Sequence, residues 1–254
     1  MMRSVSIWLG SLILLLALPA YSQPAAPDLG FAYEQVRDRK AVELDFSQGY
    51  ILVETDQMAN IEFVKQATAA ETERWEHFRL QAEAQHEIDP GNSEALVWPG
   101  AESQLRVRLD VLGRFERTRD VVLYLAKVPS GTYQFYAHNA YNTQDCACMG
   151  SVSFAVEAGV VTALRIERRH LGADGAVLAE RPKKGTALEQ LMRSALQLTP
   201  PTPLAFDKRL PSDKIVAANF SPVAEIPNWG RYIVNRILPI EGLFRYEREE
   251  LVPE

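Results

Sequence analysis

The chain has 254 residues, 47% of them hydrophobic and 24% charged, with a formal net charge of −6. Those values exclude wholesale disorder, collagen and coiled coil for the whole chain, and the acidic balance excludes the basic surplus of a nucleic-acid binder. Two cysteines are too few for a disulfide scaffold or a four-cysteine zinc site.

Residues 1–22 carry the pattern of a secretory signal peptide. Arg3 precedes an apolar stretch from Val5 to Leu18, Pro19 ends it, and Ala20-Tyr21-Ser22 sets small residues at −3 and −1 of a cut before Gln23. The stretch is short for the ~20 apolar residues of a spanning helix, so cleavage is preferred to an uncleaved inner-membrane anchor. Cleavage leaves 26 basic against 33 acidic residues. The expected protein is exported, periplasmic or secreted, with no stable membrane span after cleavage and in a compartment that permits disulfides. Residues 23–39 form an extended leader, lying over the domain or loose in solvent.

From residue 40 the chain alternates with period two. Val42, Leu44 and Phe46 oppose Glu43 and Asp45, and Ser47-Gln48-Gly49 turns into Tyr50–Glu54. Ile61 and Phe63, then Leu105 to Val111, repeat the pattern. Val121–Val128 is apolar on both faces, as a central strand is. Pro129-Ser130-Gly131 turns it into Thr132–His138. Val152–Val156 and Val160–Glu167 flank Glu157-Ala158-Gly159. Short strands with Gly/Pro turns predict an antiparallel β-sandwich over residues 40–175.

A helical insertion at about 66–88 interrupts the strands. It lacks Gly and Pro, stops at Asp89-Pro90-Gly91, and shows only a thin apolar stripe of Trp75, Phe78 and Ala82, so a surface helix is expected. After the sheet, Thr186-Ala187-Leu188-Glu189 reads as a capping box, and Leu188, Leu191, Met192 and Ala195 repeat at helical spacing. That predicts an amphipathic C-terminal helix over 186–198. Pro200, Pro201, Pro203, Pro211, Pro222, Pro227, Pro239 and Pro253 then forbid long helices, yet Phe206, Phe220, Trp229, Tyr232, Ile237 and Phe244 carry more apolar surface than a disordered tail. Residues 176–254 are therefore this helix and an extended arm, packed on the domain or on a partner.

The runs Val128-Pro129-Ser130-Gly131-Thr132-Tyr133, Cys146-Ala147-Cys148-Met149-Gly150-Ser151-Val152-Ser153-Phe154 and Val156–Thr162, with the ending Leu238–Arg248, resemble an uncharacterised family of secreted bacterial proteins. The family has an immunoglobulin-like or transthyretin-like sandwich. The resemblance implies that fold and a cell-envelope setting, and it implies no catalytic residues.

Cys146 and Cys148 are the most distinctive pair. They are candidates for a disulfide or redox pair, or for two soft metal ligands; the alternative is a structural bridge or two buried thiols. Residues i and i+2 of a regular strand stand ~6.5–7 Å apart, at the edge of disulfide reach. His138 tempts as a third ligand, but parity places Tyr133 and Phe135 inward and His138 outward, opposite the cysteines. Arg165, Arg168, Arg169, Arg181, Lys183 and Lys184 are candidates for contact with an anion or partner, such as a phosphorylated glycolipid, against the alternative of a solvated strand end and loop. Glu83-Ala84-Gln85-His86 is half of a di-iron motif and stands alone. G-x-S-x-G, H-E-x-x-H and a glycine-rich phosphate loop are missing from the sequence. No catalytic residue, cofactor or metal site is expected. The expected function is a non-enzymatic exported binding or envelope accessory protein, whose partner is an unidentified envelope protein or glycolipid. The alternatives are a hydrolase of envelope polymer and a redox or metal-handling protein using the cysteines.

Overall fold

The computed structural model describes residues 28–37, 42–56, 58–88, 100–118, 120–139, 152–172, 174–180, 194–201, 208–223, 237–247 and 250–253. These residues are mainly β, in two packed sheets with a single α-helix. The strands are β1 (Glu34–Val36), β2 (Gly49–Thr55), β3 (Asn60–Lys65), β4 (Arg106–Leu109), β5 (Glu116–Arg117), β6 (Val122–Val128), β7 (Gly131–Asn139), β8 (Val152–Val156) and β9 (Val161–Leu171). They continue as β10 (Val177–Leu178), β11 (Ser194–Thr199), β12 (Ile215–Ala217), β13 (Phe220–Pro222), β14 (Phe244–Glu247) and β15 (Glu250–Pro253). The first sheet runs β1-β6-β2-β9-β10, with β5 also on β6 and both β11 and β12 on β9. The second runs β13-β8-β7-β3-β4, and β14 pairs with β15.

Alternation sorts the side chains. Ile51 and Val53 of β2, Tyr124 and Ala126 of β6, and Leu164 and Ile166 of β9 face the second sheet, where Phe63, Tyr133, Phe135 and Phe154 meet them. Phe154 takes edge-to-face contacts from Phe63, at 5.6 Å between centroids, and from Phe220, at 6.1 Å. Each such pair adds ~0.5–1.5 kcal/mol beyond burial. The opposite face of the first sheet is apolar too: Tyr50, Leu52, Leu123, Leu125, Val161 and Ala163 form a second cluster with Phe115 and Leu210. Strands β2 and β6 are thus buried on both faces, the condition that produces continuous apolar runs.

The C-terminal segments join this framework. β12 pairs in parallel with β9, β13 pairs with β8, and Ile237 bridges to Leu196. Ile237 and Phe244 are fully buried in the inter-sheet core.

Helix α1 (Ala69–Ile88) lies between the neighbouring strands β3 and β4. Thr68 and Glu71 close a capping box: the Thr68 hydroxyl accepts the Glu71 N–H at 3.3 Å, and the Glu71 carboxylate accepts the Thr68 N–H at 2.8 Å. Lys65 Nζ donates to both carboxylate oxygens, at 3.0 and 2.8 Å. Burial pushes the Glu71 carboxyl upward, but the Lys65 ammonium and the Thr68 donors outweigh it and hold it below its ordinary value. Trp75 anchors the helix in a small cluster with Leu29, Ala101 and Leu105, while Leu80 is exposed.

Four expectations need correction. The sheet is not wholly antiparallel: β2 and β9 pair in parallel, Val53 opposite Leu164, because the chain builds strands of the second sheet between them. Residues 42–46 are not a strand. The Asp45 carboxylate accepts the Ser47 N–H at 3.0 Å and its hydroxyl at 2.7 Å, and this local turn competes with a ladder. The described part of the predicted C-terminal helix, residues 194–198, lies in strand β11 (Ser194–Thr199), which pairs along its length with β9. Leu196 and Leu198 alternate into the core, and that ladder outweighs the marginal stability of a short helix; residues 186–193 lie outside the described residues. The last correction concerns His138 and decides the site.

Candidate functional site

Strand β3 pairs with β7 in two registers. Phe63 opposes Phe135, but Ile61 opposes His138, so Tyr136 is the extra residue of a β-bulge. The bulge reverses parity beyond it. His138, expected outward, is 1% exposed between the sheets. Neither ring nitrogen bonds to another residue among the described ones. Burial, with the positive charge of Arg168, lowers its pKa to about 3, so the ring is neutral at ordinary pH.

Arg168 reaches this place from the first sheet. On β9 the even positions Leu164 and Ile166 face inward, so Arg168 continues that row, opposite Leu196. The Asp56 carboxylate at the end of β2 accepts the Arg168 backbone N–H. Burial nevertheless pushes the Asp56 carboxyl upward. The two sheets therefore bring an imidazole, a guanidinium and a carboxyl to one end of the sandwich.

The odd positions of β9 point the other way. Arg165 and Arg169 both pair with Glu167, Arg165 Nε also lies 3.5 Å from the 1%-exposed Glu54, and Arg169 Nε donates to Gln197 at 2.6 Å. The predicted basic group is therefore split. Arg165 and Arg169 are neutralised on the outer face, and Arg168 lies on the inner one, because consecutive strand residues alternate. Arg181, Lys183 and Lys184 lie outside the described residues, as do Cys146 and Cys148.

No family model, curated protein or solved structure matches this chain. Among the described residues no three His, Cys, Asp or Glu side chains are placed to hold a metal, and no helix is long and apolar enough to cross a membrane.

A feature that the sequence reading passed over lies at the same end. Arg114, Phe115, Glu116 and Arg117 line an open cleft of about 210 Å³. Phe115 is buried, and the Arg209 guanidinium lies 3.9 Å from its ring centroid. Arg209 Nη2 donates to the Phe115 carbonyl at 3.2 Å and to Glu116 Oε2 at 3.1 Å. Arg117 Nη1 contacts Met58 Sδ at 3.2 Å. Burial pushes the Tyr124 hydroxyl above its ordinary value; the Ala59 N–H that it accepts and the nearby charges of Arg114 and Arg117 only partly offset this. The available signal was two arginines three apart in an acidic chain; what it lacked was the partner from position 209.

Proposed function

We propose that this protein is an exported, non-enzymatic binding or cell-envelope accessory module, and that the polar end of its sandwich is the working face. The observation that carries the reading is the asymmetry of the two ends. At one end, tight turns close the sandwich: Gly159 N–H donates to the Gln48 carbonyl at 2.7 Å, and the Tyr133 hydroxyl donates to the Pro129 carbonyl at 2.7 Å. At the other, Arg114 and Arg117 line an open cleft, His138 lies buried between the sheets near the charge of Arg168, and Leu112 is 73% exposed. Binding sites concentrate on loops held by a rigid scaffold. The signal-peptide pattern and the likeness to secreted sandwich proteins support the envelope setting.

The test is site-specific photo-crosslinking in cells of the native host. A crosslinker at Leu112 should capture a discrete envelope component, and one at Phe46, 69% exposed at the closed end, should not. Equal capture at both ends, or at neither, refutes the assignment of the face.

A further inference from the structure

We propose that Arg114 and Arg117 form a binding site for a phosphate-type oxyanion, either free or carried on a lipid headgroup. The proposal rests on the reading of the polar end as the working face and supplies its ligand class.

Two observations together mark these residues: both line the open cleft, and neither has a carboxylate partner among the described residues. Arg79, Arg106, Arg108, Arg165, Arg169 and Arg209 each have a carboxylate within 4.0 Å. Arg114 and Arg117 have none among the described residues, although the chain carries an acidic excess. The acid lining their cleft, Glu116, is already held by Arg209 at 3.1 Å, so it does not compete for them.

The backbone that carries them is fixed from both sides. Gln35 Nε2 donates to the Gly113 carbonyl at 2.9 Å and to the Asp110 carbonyl at 3.1 Å, and its Oε1 accepts the Asp110 N–H at 2.9 Å. A Cβ at Gly113 would lie 2.4 Å from the Gln35 side chain, so glycine permits this close seat. Past Arg114, the Phe115 N–H donates to the Leu123 carbonyl at 2.7 Å, and Arg117 is held in β5 opposite Val122. A guanidinium binds phosphate oxygens as a planar fork, and this cleft is lined by two of them on a fixed backbone. The cleft is far larger than the ~10–15 Å³ that one water requires.

The experiment uses the mature full chain and two probes. Calorimetry at low salt follows inorganic phosphate and pyrophosphate. Flotation follows phosphatidylcholine vesicles with and without phosphatidylglycerol. Wild type should bind at least one probe, and the Arg114→Gln/Arg117→Gln pair should bind it at least tenfold more weakly with an unchanged melting temperature. Arg79→Gln, on the distant helix, should bind as wild type does. Binding of the free oxyanions alone identifies a soluble ligand; flotation with the anionic vesicles alone, lost in the double variant, identifies a headgroup. Binding of neither probe, or equal binding by the double variant, overturns the site. If that happens while Leu112 still captures its component, the working-face reading survives and only the oxyanion inference is lost. If the double variant proves unstable, Arg117→Gln alone, exposed on its strand, carries the test at a threefold threshold.

Discussion

Phe244→Ala is the sharpest test of how the proline-rich C-terminal segment stabilises the fold. Phe244 is fully buried among inter-sheet residues, with Ile237 in the same cluster, although Pro239 between them would mark the region as loop. Truncating a buried Phe to Ala costs about 3–5 kcal/mol, from lost transfer energy and the cavity left behind. For a chain of this size each kcal/mol moves the midpoint by about 2–4 °C, so the loss corresponds to roughly 6–20 °C. Urea titration and calorimetry at two protein concentrations a hundredfold apart read both the size of the loss and its origin. Because Phe244 packs in cis, the wild-type midpoint should not depend on concentration. Phe46→Ala, at a 69%-exposed position, should stay within about 0.5 kcal/mol of wild type. A Phe244→Ala loss below about 1 kcal/mol, or a wild-type midpoint that rises with concentration, would refute the packing argument.

The folded His138 titrates at about 3 against an ordinary 6.5, so the unfolded chain takes up its proton first and stability falls as pH drops through that window. His138→Leu should remove this share: between pH 6.5 and 4.5 wild type should lose about 2 kcal/mol more than the variant, and equal losses by denaturant titration would sink the assignment. Glu71→Ala leaves the Lys65 ammonium buried without its partner and should cost about 3–5 kcal/mol, with Lys65→Met/Glu71→Ala recovering part of it in the same titration. Glu71 has a depressed folded pKa, so its contribution is present at neutral pH and lost as pH falls below the carboxylate range. N-terminal sequencing of the mature protein should begin at Gln23, where a retained Met1 would mean an anchor. Alkylation under denaturing conditions separates the two readings of Cys146 and Cys148: a bridge leaves no free thiol, and two alkylated cysteines in protein taken from the periplasm would sink the bridge.

Much of the fold was legible because burial in a sandwich imposes period two directly on the sequence. Val122–Val128, Gly131–Asn139, Val152–Val156 and Val161–Leu171 all stand close to where alternation and Gly/Pro turns placed them. The α-helix was legible for the complementary reason, a long run free of Gly and Pro. What failed were patterns with more than one physical solution. The leucines before Thr199 satisfy a helical stripe and, at Leu196 and Leu198, a strand, and only the free edge of β9 chooses the strand. Alternation at residues 42–46 yields to a turn that the Asp45 carboxylate builds locally. One bulged residue, Tyr136, sends His138 inward, because parity carries no memory across an inserted residue. The site depends most on tertiary structure: Arg209 lies far along the chain from Phe115 and Glu116, and only folding sets its guanidinium between them. Sequence patterning decides which face of a strand each side chain takes, while strand pairing and register decide which charges meet at the end of the sandwich.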